Sequence, residues 1–157
     1  MLVDPPLPTA WIDARLINEV YEVLFVLLGA TDLRRLNLEA TQRGVSPLVR
    51  GAAERVIRIF GASPGTLLSK FDRVAGTTSR GVLYRYESRS DTSGVFDIEY
   101  PGLRDVPMGP FVATGGALEL IFDICGVAGT IDGPEVVENG RNNRVRYAVN
   151  WRPLRKK

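Results

Sequence analysis

Histidine is absent from the 157 residues, and cysteine occurs once, at Cys125. Without imidazole the chain assembles no Ser/His/Asp or Cys/His relay of its own, and a lone thiol forms neither a metal-binding cluster nor an intrachain disulfide. These absences remove most of the common catalytic and metal-site repertoire. They point to binding rather than chemistry, with no catalytic residue, no metal and no cofactor expected. An unpaired cysteine suits a reducing compartment, so the cytoplasm is the expected location. Long apolar runs are missing too: Val23–Leu28 is far short of the roughly 20 residues of a membrane-spanning helix, and Met1–Pro8 lacks the basic start of a secretory signal. Lysine is scarce, since 17 of the 20 basic residues are arginine, which favours fork-shaped contacts to carboxylates and other anions. A net charge of +2 is too even to indicate nucleic-acid binding.

What is present reads as one soluble-type domain. Hydrophobic content of 45% with 24% charge is ordinary for a globular chain, and the length leaves room for one core. We expect an extended leader over 1–8, rich in proline at Pro5, Pro6 and Pro8, a single α+β domain over 9–152, and a solvated basic tail over 153–157.

Thr9 can cap a first helix that runs to about Leu28 and stops at Gly29. Ile12, Leu16, Val20, Leu24 and Leu27 form one apolar row on it, and Ile17, Tyr21, Phe25 and Leu28 a second beside the first, so the helix needs two neighbours. Thr31 opens a second helix toward Arg43. Ser46-Pro47 starts a third, with Leu48, Ala52, Val56, Ile59 and Phe60 inward, and Ser63-Pro64 a fourth through Leu67, Leu68 and Phe71 to near Gly76. The period then becomes two. Val82, Tyr84 and Tyr86 take one strand face, and after a turn at Asp91-Thr92-Ser93-Gly94 the returning strand places Phe96, Ile98 and Tyr100 inward. Gly109-Pro110 opens a fifth helix to about Cys125, with Phe111, Gly115, Leu118, Phe122 and Cys125 on its inner row. A final hairpin turns at Asn139-Gly140, its last strand alternating through Val145, Tyr147, Val149 and Trp151.

Two groups of residues are candidate sites. Tyr84, Tyr86, Phe96, Phe111 and Phe122 converge where the first hairpin meets the fifth helix, with Leu118 and Gly115 beside them; a pocket for a small apolar, lipid-like ligand would form there. Ordinary core packing accounts for the same cluster. Gly115-Gly116 inside a helix implies close approach by another backbone or by a ligand. Leu16, Val20, Tyr21, Leu24 and Phe25 form the candidate pairing surface, because the first helix is apolar over more than one neighbour covers. Asp97 and Glu99 read as ion-pair partners of Arg85 or Arg89 rather than as a catalytic pair, Glu119 and Asp123 as a solvated helix face, and Cys125 as a buried, inert thiol.

The segment Val56-Ile57-Arg58-Ile59-Phe60-Gly61, the strands Gly81–Tyr86 and Gly94–Tyr100, the helix Phe111–Gly126 and the terminal Arg146-Tyr147-Ala148-Val149-Asn150-Trp151 carry a family resemblance. Their order resembles the ligand-binding superfamily of four-vinyl-reductase-like domains, haem nitric-oxide-binding-like domains and Golgi-transport subunits. In pattern the chain looks most like a myxobacterial paralogous family of unknown function in that neighbourhood, over nearly the whole sequence after the leader. The resemblance implies an apolar cavity between helices and sheet, and pairing with a second copy or a related protein through the N-terminal helices. The cysteines and histidines that haem- and metal-binding relatives place around the pocket and final hairpin have no counterpart here, so that chemistry is not carried over. The expected function is a non-enzymatic regulatory or sensory module that binds a small apolar ligand. The alternative is an interaction or scaffolding domain of the same fold with a filled core.

Overall fold

The computed structural model describes residues 13–44, 47–75 and 79–153. The leader, the caps expected at Thr9 and Ser46, the stop near Gly76, the tail beyond Pro153, and the side chains of Leu48 and Ala52 lie outside the described residues.

Asp13 opens α1 (Ala14–Gly44). Its carboxylate accepts the Arg15 N–H at 2.8 Å, and its carbonyl accepts those of Leu16 and Ile17 at 3.1 and 3.4 Å, satisfying donors that a helix start leaves unpaired. At Gly29 the backbone swings to φ 74°, ψ 173°, so α1 is two arms, 14–28 and 30–44, joined by a kink that only glycine takes without strain. The second arm follows at once, without a separate start at Thr31.

In α2 (Pro47–Phe60) the inward residues are Ala53, Val56 and Ile57. Ile59 and Phe60, expected inward, are instead exposed at 69% and 45%. Steps of three and four from Ala53 pass through Val56 and Ile57 and leave Ile59 on the far side. Phe60 ends the helix beneath Lys70 Nζ, 5.4 Å above its ring. Ser63 caps α3 (Pro64–Ser69), its hydroxyl accepting the Thr66 N–H at 3.0 Å. The helix expected to continue through Phe71 breaks at Lys70, and α4 (Phe71–Ala75) follows it.

Strands β1 (Leu83–Ser90) and β2 (Ser93–Glu99) form the first hairpin, β3 (Val127–Val136) and β4 (Arg144–Pro153) the second. All pairs are antiparallel, in the order β1-β2-β4-β3. β4 joins the hairpins by adding to β2, with Phe96 opposite Tyr147 and Ile98 opposite Val145. Between the hairpins run α5 (Met108–Leu118) and α6 (Leu120–Cys125), the expected fifth helix divided by a tight turn in which the Glu119 N–H reaches the Gly116 carbonyl at 3.2 Å.

α5 lies between two layers. One side, with Phe111 and Leu118, joins Phe96, Ile98, Val145, Tyr147 and Val149 of the sheet in the main core; the other, with Val112 and Ala113, meets Leu33, Tyr21, Leu24 and Phe25 of α1. This accounts for a helix that is apolar all round. The 18-residue stretch Met108–Cys125 matches a membrane span in length and composition, yet 56% of it is buried within the fold. The architecture is α+β, with N-terminal helices followed by hairpin, helix and hairpin.

Candidate functional site

The aromatic residues singled out at the hairpin and fifth helix do come together. Phe96 is 0% exposed, Phe111 and Leu118 2% and Phe122 5%. Tyr147 joins them at 0%, and its hydroxyl donates to the Phe111 carbonyl at 2.7 Å. A side chain at 0% touches neither solvent nor a water-sized void, so Phe96 and Tyr147 are packed on every side. Phe71 fills the flank, its ring 5.0 Å from Tyr84 and 5.2 Å from Phe96 in edge-on contacts. Tyr84 and Tyr86 are half-buried at the rim, and the Tyr84 hydroxyl shares a 2.8 Å hydrogen bond with Ser79. Burial raises the phenol of Tyr84 above its ordinary value, pushes that of Tyr100 up to about 12 and raises Tyr147 further still.

The paired glycines serve a backbone. A Cβ on Gly116 would strike the Arg34 main chain, and one on Gly109 would lie 2.6 Å from the Tyr21 carbonyl carbon. Gly115 is less confined, with Tyr147 at 3.3 Å and the Arg34 guanidinium at 3.4 Å. Of the two partners the sequence leaves open for these glycines, the neighbour is α1. Its Glu22 carboxylate also accepts the Gly109 N–H at 2.8 Å, at the start of α5.

Arg34 is a contact that sequence reasoning missed. Its guanidinium, 19% exposed, pairs with Glu119 at 2.6 Å and donates to the carbonyls of Ile131 at 2.6 Å and Gly133 at 2.8 Å, tying α1 to the α5–α6 turn and to β3. Glu119 is therefore Arg34's counter-ion rather than part of a solvated face. No local pattern announces a pair 85 residues apart. Asp97 also differs from expectation: it pairs with Arg144 at 2.5 Å and Arg146 at 2.8 Å, on β4, while Arg85 goes to Glu99 and Arg89 to Glu87. β2 is flanked on both sides, and the Asp97 side chain is only 8% exposed beneath the two β4 guanidiniums. Burial acts to raise its carboxyl, but hydrogen bonds and charge from Arg146 and Arg144 outweigh that and hold it below the usual carboxylate range.

The candidate pairing residues divide between two faces. Leu16 and Val20 point outward, 56% and 49% exposed, whereas Tyr21, Leu24 and Phe25 turn toward α5 and pack around Leu33, Val112 and Ala113. The Tyr21 hydroxyl donates to Asn37 at 3.0 Å, and Asn37 donates to the Ala113 carbonyl at 2.6 Å, fixing that inner face. The outward row continues through Val23 at 58% and Leu27 at 73%.

No protein-family profile matches the sequence, and no curated protein is significantly similar to it. Solved structures are. An H-NOX protein variant from K. algicida, in its Fe(II) unliganded form, aligns over 91% of this chain and 75% of its own, at 10% identity and a TM-score of 0.59. A second structure, from work on H-NOX activation, aligns over 98% of this chain and 82% of its own, at 11% identity and a TM-score of 0.58. A haem does not fit the residues present. The sequence offers no imidazole, no group of three or more His, Cys, Asp or Glu side chains converges among the described residues, and burial pushes the Cys125 thiol up to about 11. The likeness is one of architecture, and the architecture of this chain is the H-NOX fold.

Proposed function

We propose that the chain is a non-enzymatic regulatory module of the cytoplasm that acts through protein contact, pairing with a second copy of itself along the first arm of α1 around a core filled by its own side chains. The observation that carries this reading is the outward row Leu16, Val20, Val23 and Leu27, exposed at 56%, 49%, 58% and 73%. Its steps of four, three and four are those of a coiled-coil seam, whose knobs enter holes on a facing helix. The row bears no charge, and a two-fold pair would set the same apolar surface against itself. Val26, 75% exposed, widens it. The opposite face of the arm already has its neighbour in α5, and no described element covers the outward row, which leaves that row to a second copy.

A filled core supports contact over ligand capture, because a guest among Phe96, Phe111 and Tyr147 would have to displace side chains packed on all sides. Sedimentation equilibrium across a concentration series tests the pairing. The parent protein is expected to dimerise, and Val20→Glu with Val23→Glu to remain monomeric with unchanged circular dichroism. A parent that stays monomeric at high micromolar concentration overturns the reading. Native mass spectrometry tests the filled core: a stoichiometric lipid-like adduct on the purified protein would restore the ligand-binding alternative.

A further inference from the structure

A second exposed apolar pair ends α2. Ile59 and Phe60 stand 69% and 45% exposed in its last turn, at a corner that α3 and α4 complete. Unlike the uncharged row on α1, this pair is set among cations. Lys70 Nζ lies 5.4 Å and the Arg73 guanidinium carbon 6.0 Å from the centre of the Phe60 ring. Arg55, one turn before Ile59 on the same face of α2, and Arg58, next to Ile59 in the chain, are both exposed. None of the four has a carboxylate partner among the described residues. Arg55 Nε donates only to the Gly51 carbonyl of its own helix, at 3.2 Å. The acids of the stretch 51–75 are Glu54 and Asp72, so its positive charge exceeds its negative by two. Cations held beside an exposed ring suit a boundary between water and hydrocarbon, where the apolar part sinks and the charged ends reach back to head groups.

We propose that this corner docks on a lipid bilayer bearing anionic head groups. Ile59 and Phe60 enter the boundary between head groups and acyl chains, while Arg55, Arg58, Lys70 and Arg73 meet lipid phosphates and carboxylates around them. The two cations over the Phe60 ring keep charge and apolar surface in one place. Two apolar side chains are too few to anchor a protein without charge, so attachment is reversible and depends on anionic lipid. A bilayer is favoured over an acidic protein because the apolar pair stands at a helix end, where a fluid surface receives it without a complementary pocket.

The test sediments the full chain with vesicles of equal parts phosphatidylserine and phosphatidylcholine, and with vesicles of phosphatidylcholine alone. Binding is expected to the mixed vesicles only, and to weaken as salt is raised. Arg58→Gln should weaken it about fivefold, the worth of one cation at an anionic surface. Ile59→Ser with Phe60→Ser should abolish it while circular dichroism stays that of the parent, because both side chains are exposed. In Phe60→Trp, brominated acyl chains should quench the added fluorescence. No binding to the mixed vesicles, equal binding to the neutral ones, binding that survives the double serine substitution, or a Phe60→Trp signal that brominated lipid leaves untouched would each overturn the proposal. Capture by polyglutamate in place of vesicles, lost in the double serine variant, would assign the corner to an acidic protein instead. Val20→Glu with Val23→Glu should bind vesicles as the parent does; loss of binding there would move the contact to α1 and overturn the proposal.

Discussion

The Tyr147 hydroxyl and the Phe111 carbonyl meet at 2.7 Å in the centre of the core, one from β4 and the other from α5. The bond anchors the helix to the sheet at a point from which water is absent. Tyr147→Phe keeps the ring and removes the donor, so it should cost about 1–2 kcal/mol, read as a lower urea midpoint with an unchanged denaturant slope. Alkali should act on the same layer. The phenols of Tyr147 and Tyr100 are raised above the ordinary value, Tyr100 to about 12. Their contribution to stability is therefore complete below about pH 10 and declines as pH rises toward the folded-state values.

The close approach of α1 and α5 gives a comparison between two glycines. Gly116→Ala would push a methyl into the Arg34 main chain and should destabilise by about 1–3 kcal/mol. In Gly51→Ala, within α2, the new Cβ meets nothing within 4 Å. That variant should gain about 1 kcal/mol from helix propensity. Thermal melts that move the two variants in the same direction would contradict the packing described here.

Acid sensitivity should be concentrated at Asp97. Its carboxyl is held below the ordinary range, so the stability it contributes is present above about pH 4 and is lost as pH falls through the depressed folded value. Asp97→Asn should flatten the acid limb of a stability profile while lowering stability at neutral pH, because Arg144 and Arg146 lose their shared counter-ion.

Cys125 should react slowly. With its thiol pushed up to about 11, little thiolate exists near pH 8, and labelling by a disulfide reagent should be slower than for a free cysteine until the protein is denatured. Fast labelling of the native protein would show the thiol to be open.

Where periodicity or punctuation carried the information, the sequence was readable. Gly29 interrupts the first helix, Ser63 caps α3, Phe96 and Ile98 alternate inward, and the row Phe111, Leu118 and Phe122 faces the sheet. What stayed hidden depended on tertiary choice. A helix with apolar residues on two faces gives no sign which one is buried, so Leu16 and Val20 could not be told from Tyr21 and Phe25. The arginines of Asp97 come from β4 because that strand, distant in sequence, inserts beside β2. The Arg34 contact with Glu119 and the burial of Asn18, a polar residue in an apolar helix, likewise follow from neighbours that no local window contains.

Gly29 also acts as a ruler. It sends the chain off its course just past Leu27, so the exposed row from Leu16 to Leu27 ends there, after about 18 Å at 1.5 Å per residue. Durable coiled coils usually sustain three or four heptads, and this row stops before two. In the proposed pair, copies joined over so short a length would part and rejoin readily, and the paired fraction would rise and fall with the amount of protein present. A molecule that pairs over a length measured off in this way would register its own abundance.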